Sequence, residues 1–300
     1  MLFLVSLMWG GSFLFVEVAL RELPPITIVM ARVSLAAVVC YLVMKVSSQV
    51  LPRNLALWKS FFVLGLLNNV VPFTLLVWGQ QFVLGSVAAI LNASIPVSTV
   101  ILAQIFTDDE KLTVAKVVGI GVALVGVMLV IGLEALSSFS VTNLGQGAIL
   151  LAGISYAAAS VYGRRYGQAG IPPLTVTTGQ LIVSSVLLLP IVFIADPDLL
   201  DRSVSLQVGL ALAGLAIIST SIAFLLYFKL IATVGATNTS LVTMLVPISA
   251  IFLLWAVLGQ QLPEGAFPGM AAIAAGLFIL DGRPFKWAKS KFEMLLQRQA

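Results

Sequence analysis

Two charged residues stand well inside apolar stretches of this chain, Glu17 and Arg32. A charge at the centre of a bilayer-spanning helix costs about 2.5 to 3.5 kcal/mol on insertion scales, so neither is expected to face lipid alone. The tight Pro24-Pro25 turn separates them and sets them at similar depth on antiparallel neighbours, where they are placed to pair. Two chemistries suit that arrangement: a gate whose carboxylate can exchange a proton, or a structural ion pair fixing two helices.

Amides and hydroxyls recur beside aromatic residues. Asn68 and Asn69 are followed by Phe73 and Trp78, and about 150 residues later Ser219 and Thr220 are followed by Phe224 and Tyr227. Hydrogen-bonding groups next to ring faces suit a zwitterionic or amphipathic solute, which needs partners for its head and an apolar wall for its body. The competing reading is interhelical hydrogen bonding, worth roughly 0.6 to 2 kcal/mol each in a membrane. Trp9, Ser12, Tyr156 and Ser160 are further candidates for the same wall. Asn92, Pro96 and Thr99 share a helix face at spacings of four and three, a face repeated by Thr243, Pro247 and Ala250. Each proline removes a backbone hydrogen bond, so Pro96 and Pro247 are candidate hinges or static kinks.

The elements that must position these residues follow from composition. Of 300 residues 60% are hydrophobic and 9% charged, too few polar groups to wet a globular surface, so the surrounding solvent is lipid. Apolar windows fall near 1–20, 25–46, 57–79, 84–106, 114–133, 145–164, 173–194, 206–228, 235–258 and 264–281, each long enough to cross a bilayer. An all-α integral membrane protein of ten spans joined by short loops is expected. The opening apolar run lacks a basic leader and a cleavage site, so the first span is expected to be retained.

Basic residues fix the expected orientation. With the N-terminus inside, Lys45, Arg53, Lys59, Lys111, Lys116, Arg164, Arg165, Lys229, Arg283, Lys286, Lys289, Lys291 and Arg298 fall on the cytoplasmic side, while Arg21 and Arg202 fall outside. Both termini are then cytoplasmic, in a cell (inner) membrane. The chain also repeats itself. A shift of 148 residues pairs Ser12 with Ser160 and Thr27 with Thr175, and a shift of 151 pairs Phe73 with Phe224 and Pro96 with Pro247. Five spans per copy is an odd number, so the second copy enters from the opposite side. The expected domains are a repeat over 1–133, a linker over 134–144, a second repeat over 145–282 and a basic amphipathic cytoplasmic tail over 283–300 suited to an anionic leaflet. Inverted duplication is the architecture of many secondary transporters, which expose a midplane site to each side in turn.

The residues also resemble a known family. Trp9-Gly10-Gly11-Ser12-Phe13, the Arg21-Glu22-Leu23-Pro24-Pro25 turn, Arg32, Pro96, the Asp109-Glu110-Lys111-Leu112-Thr113 loop and the Gly-rich fifth span resemble an EamA repeat of the drug/metabolite transporter superfamily. The resemblance covers nearly the whole chain in two copies. It implies a ten-helix exporter of small metabolites, similar to amino-acid exporters of aromatic or neutral substrates. Gln260 replaces the loop acid and Gln180 stands opposite Arg32, so the halves depart from equality.

Other classes lack machinery. There is no His, no GxSxG elbow, no P-loop and only one cysteine, Cys40, so neither an enzyme nor a cofactor or metal site is expected. Expected partners are a small-molecule substrate and the bilayer, with Glu17 allowing proton coupling, no nucleic acid, and a monomer or dimer. A nucleotide-sugar or phosphosugar exchanger is the transporter alternative, and a non-transporting scaffold or receptor the alternative from another class.

Overall fold

The computed structural model describes residues 1–106, 113–131, 140–199, 201–227, 241–262 and 264–281. Ten helices occupy them, labelled α1 (Leu2–Ala19), α2 (Pro25–Val46), α3 (Leu55–Gly79), α4 (Gly85–Phe106), α5 (Val114–Ile131), α6 (Val141–Gln168), α7 (Pro173–Ala195), α8 (Leu206–Tyr227), α9 (Leu241–Leu258) and α10 (Ala266–Asp281). The first eight are long and apolar enough to cross a membrane, and α9 and α10 carry shorter apolar runs.

Local chemistry sets the starts. Pro25 and Pro173 occupy the first turn of α2 and α7, where a missing N–H is harmless. Asn54 and Ser205 cap α3 and α8 through side-chain oxygens. Ser140 does the same for α6, accepting from the N–H of Asn143, and so starts that helix at Val141 rather than at 145.

Helices pair mainly across the two halves. α1 packs on α9 and α8, α2 on α7 and α8, α3 on α6 and α7, α4 on α6 and α9, and α5 on α10. Exchanging the halves maps this set onto itself: α1 with α9 becomes α6 with α4, and α3 with α6 becomes α8 with α1. The inverted duplication is therefore a packing symmetry, with α2–α7, α4–α9 and α5–α10 crossing its axis. The α5–α10 contact is at backbone distance. A Cβ on Gly126 would lie 2.6 Å from the Ile273 nitrogen, and one on Gly276 would lie 2.5 Å from that of Ala123. Small residues on both helices therefore close this one pair, the usual use of glycine where dispersion alone drives association.

Outside, large apolar side chains such as Val38, Leu42, Ile105, Phe193 and Phe252 are exposed, as lipid requires. Inside, Asn69, Ser184, Thr178, Ser219, Thr220 and Ser221 are buried. These polar side chains share the interior with a large apolar core that includes Ile28, Ile90, Leu181 and Leu215.

Candidate functional site

Two helices are wound wide at repeat-related positions. In α3 the segment Leu66–Val70 is π-helical, and in α8 the segment Gly214–Ile222 is. The causes differ. Pro72 has no N–H to return to the Leu67 carbonyl, and Ser155 of α6 donates to that carbonyl instead, at 2.8 Å. In α8 the hydroxyls of Thr220 and Ser221 donate five residues back, to Leu215 and Ala216, at 2.8 and 2.9 Å. π-turns inside α-helices are frequent at functional sites, because the wider turn re-aims side chains.

What is aimed inward is Thr220. Its hydroxyl proton goes to Leu215, so its oxygen accepts from Arg32 Nε of α2 at 3.0 Å. The guanidinium lies over the Phe73 ring of α3, 3.6 Å from its centre, and Phe73 meets Tyr156 of α6 edge-on at 6.2 Å. One turn beyond Thr220, Phe224 stands edge-on to Trp9 of α1 at 6.3 Å, and Tyr227 lies 5.0 Å from the same indole. Five helices thus contribute to two ring groups, Arg32 with Phe73 and Tyr156, and Trp9 with Phe224 and Tyr227, set one turn apart along α8. Arg32 is 6% exposed, and among the described residues no carboxylate pairs with it.

Glu17 is held elsewhere, and the two in-span charges do not pair. Its Oε2 accepts from the Gly85 N–H at 3.0 Å, at the first turn of α4, and its Oε1 accepts from Gln260 Nε2 at 2.9 Å. Gln260 in turn accepts from the Ser86 N–H at 3.1 Å. A carboxylate at a helix N-terminus satisfies orphan donors and complements the helix dipole. This clasp ties the ends of α1, α4 and α9. Gln260, conspicuous in the sequence only as a lost acid, is the amide donor that such a clasp needs.

A second clasp closes the same end of the bundle. Thr27 of α2 donates to Asp196 Oδ2 at 2.7 Å, Arg202 Nη2 pairs with Asp196 Oδ1 at 2.7 Å, and Ser205 N–H donates to Glu22 Oε2 at 2.8 Å. The Thr27 hydroxyl, then Arg202, holds the Asp196 carboxyl below the usual carboxylate range, and the Ser205 donors do the same for Glu22.

The other candidates divide. Asn69 is buried and donates to Ser184 of α7 at 3.0 Å, with its Oδ1 unpaired, while Asn68 donates to Gln180 at 3.1 Å. Gln180, facing Asn68 rather than Arg32, joins α3 to α7. Ser12 and Ser160 bond their own helices, at the Trp9 and Tyr156 carbonyls, and Ser160 is exposed. Trp78 stands apart at the end of α3, exposed and edge-on to Phe82 at 4.9 Å. Asn92 ends the first part of α4, its Oδ1 unpaired, and the helix breaks at Ala93-Ser94 just before Pro96. Pro247 sits in uninterrupted α9, so only the first repeat shows a break. The Thr243 side chain, Lys229 and the 283–300 tail lie outside the described residues.

Ten apolar helices paired across an inverted repeat around a buried polar and aromatic layer define a multi-pass membrane protein of the transporter class. The chain belongs to the EamA-like transporter family, whose model matches residues 1–132 and 143–280. It is 24% identical over 275 residues to the uncharacterized transporter YoaV of Bacillus subtilis, covering 92% of this chain and 93% of that one. An uncharacterized transporter of Archaeoglobus fulgidus is 26% identical over 281 residues, covering 91% and 94%. A crystal structure of another protein superposes with a TM-score of 0.67 at 16% identity, covering 93% of this chain and 95% of that one, which is a likeness of fold.

Proposed function

We propose that the chain exports small metabolites, neutral or aromatic amino acids foremost, across the cytoplasmic membrane by alternating access. The observation that carries this reading is the pair of repeat-related π-turns, which bring Thr220 and Phe73 against Arg32 in the layer shared by both halves. A solute held there between α1, α2, α3, α6 and α8 would be exposed to either side as the repeats rock. Glu17 and its partners form the outer gate in this scheme, and protonating the carboxylate would remove the charge that holds Gly85 and Gln260. The α4 break before Pro96 is the first-repeat hinge. Both termini lie in the cytoplasm, with the basic loops, and the linker between the repeats ends where α6 begins at Val141.

The test is reconstitution of the purified protein in liposomes with a labelled amino-acid panel, with and without a pH gradient. Gradient-driven flux lost in Glu17→Gln supports proton-coupled export. Flux indifferent to the gradient supports facilitated export, and no flux for any amino acid sinks the substrate assignment.

A further inference from the structure

Charge accounting singles out one side chain. The chain has 12 acidic residues; Glu17 lies well inside a span, whereas Asp281 is the last residue of α10. The two oxygens of Glu17 are taken by Gly85 and Gln260. Asp196, the buried acid at the end of α7, is taken by Thr27 and Arg202. Arg32 has no carboxylate among the described residues, and its single hydrogen bond there uses Nε, leaving the Nη1 and Nη2 donors without a partner in that set.

A guanidinium buried in a membrane protein is costly unless something anionic or strongly accepting compensates it. A ring face below it and one hydroxyl beside it compensate only in part. Those two contacts do, however, fix its plane. Thr220 holds Nε, Phe73 supports the flat face, and the outer fork of four N–H bonds is left as a preformed bidentate carboxylate receptor.

The surroundings state what the carboxylate is attached to. Tyr156 lies beside Phe73, and Phe224, Tyr227 and Trp9 form a contiguous set of rings one turn further along α8. An apolar body in reach of these rings completes an amphipathic anion. Lys45, Lys59, Lys116, Arg164 and Arg165 stand nearer the ends of their helices, and no described contact brings any of them to the Arg32, Thr220 and Phe73 group, so a phosphate dianion would find half the charge it needs there.

We infer that the Arg32 guanidinium binds the carboxylate of the transported solute, and that the substrate class is small monocarboxylates with an apolar or aromatic body. The inference deepens the proposed export function and rests on it for the word transported, but the binding chemistry stands on Arg32 alone.

The experiment measures binding to the full chain in lipid nanodiscs by calorimetry, using L-phenylalanine, L-leucine and 3-phenylpropionate against L-phenylalaninamide and L-leucinamide. A charge-assisted pair predicts that each acid binds roughly 10- to 100-fold tighter than its amide. Arg32→Gln should collapse that preference towards unity, and Arg32→Lys should retain part of it, because charge survives without the fork. The comparison within the parent protein needs no variant to fold. Equal binding of acid and amide overturns the inference, as does a preference that survives Arg32→Gln, or binding by none of the acids. If 3-phenylpropionate binds and the amino acids do not, the amino-acid assignment falls and the arginine assignment stands. Amino-acid flux with no acid-over-amide preference gives the reverse.

Discussion

Glu17 and Arg32 are alike in sequence and opposite in structure. Each is a lone charge in an apolar helix, and each was placed to neutralise the other. The carboxylate instead accepts from the Gly85 N–H and the Gln260 amide, and is saturated by its own chain. The guanidinium meets one hydroxyl and one ring, and is not. A saturated charge fixes geometry, whereas an unsaturated one, held rigid, is available to a ligand. The difference separates a clasp from a receptor, and helix position alone would not have distinguished them.

The largest effect expected on stability comes from emptying the clasp. Glu17→Leu leaves the Gly85 N–H and Gln260 Nε2 without their acceptor, which should cost about 3 kcal/mol at the upper end for charge-assisted hydrogen bonds. The midpoint of thermal unfolding in detergent reads this, and a smaller loss in Glu17→Leu than in Arg32→Gln would reverse the comparison. Arg32→Gln should act chiefly on binding.

A steric version follows. A Cβ on Gly85 would fall 2.7 Å from Glu17 Oε2 and 3.2 Å from Gln80 Nε2. Gly85→Ala therefore pushes the carboxylate off α4, and overpacking of this kind costs about 1 to 3 kcal/mol. Cysteine accessibility of the α3–α4 loop from the Glu17 end should rise with it. An unchanged labelling rate would argue that this clasp does not govern access.

On the receptor side, Thr220→Val keeps shape and removes the oxygen that accepts from Arg32 Nε and donates to Leu215. A stability loss of about 1.5 kcal/mol is expected, the lower end for a hydrogen bond to a charged group. Acid-over-amide preference should fall several-fold, because the fork is no longer held in plane. Preference intact in Thr220→Val would show that Phe73 alone orients the guanidinium.

The smallest effect lies at the second clasp. The folded-state pKa values of Asp196 and Glu22 are depressed, so their contribution is fully present above the ordinary carboxylate range and is lost as pH falls through the folded values. Thermal unfolding measured from pH 6 down to pH 3 should show a decline, part of which disappears in Asp196→Asn. A profile identical in the variant would mean that Asp196 titrates alike in both states.

Much of the fold was legible because lipid imposes a simple rule: apolar runs long enough to span must be helices, with every backbone group satisfied internally. The repeat was legible too, through Phe73 and Phe224 or Pro96 and Pro247 at nearly constant offset. Within the site, Arg32, Phe73, Thr220, Phe224, Trp9 and Tyr227 were picked from residue type and are brought together. Trp78, Ser12 and Ser160 carried the same signal and point elsewhere, since a helical residue's facing depends on neighbours that its own sequence does not name. Gly85 gave no signal, because its contribution is a backbone N–H that every residue but proline possesses.

The sequence by itself determined that this chain lives in lipid, crosses it about ten times and is built twice over in opposite senses. These are consequences of composition, span length and parity, which act locally and add up along the chain. Only the tertiary structure decided which charge is spent and which is available. That depends on where Thr220, Gly85 and Gln260 arrive from distant helices, and on π-turns in α3 and α8 that re-aim side chains by a fraction of a turn.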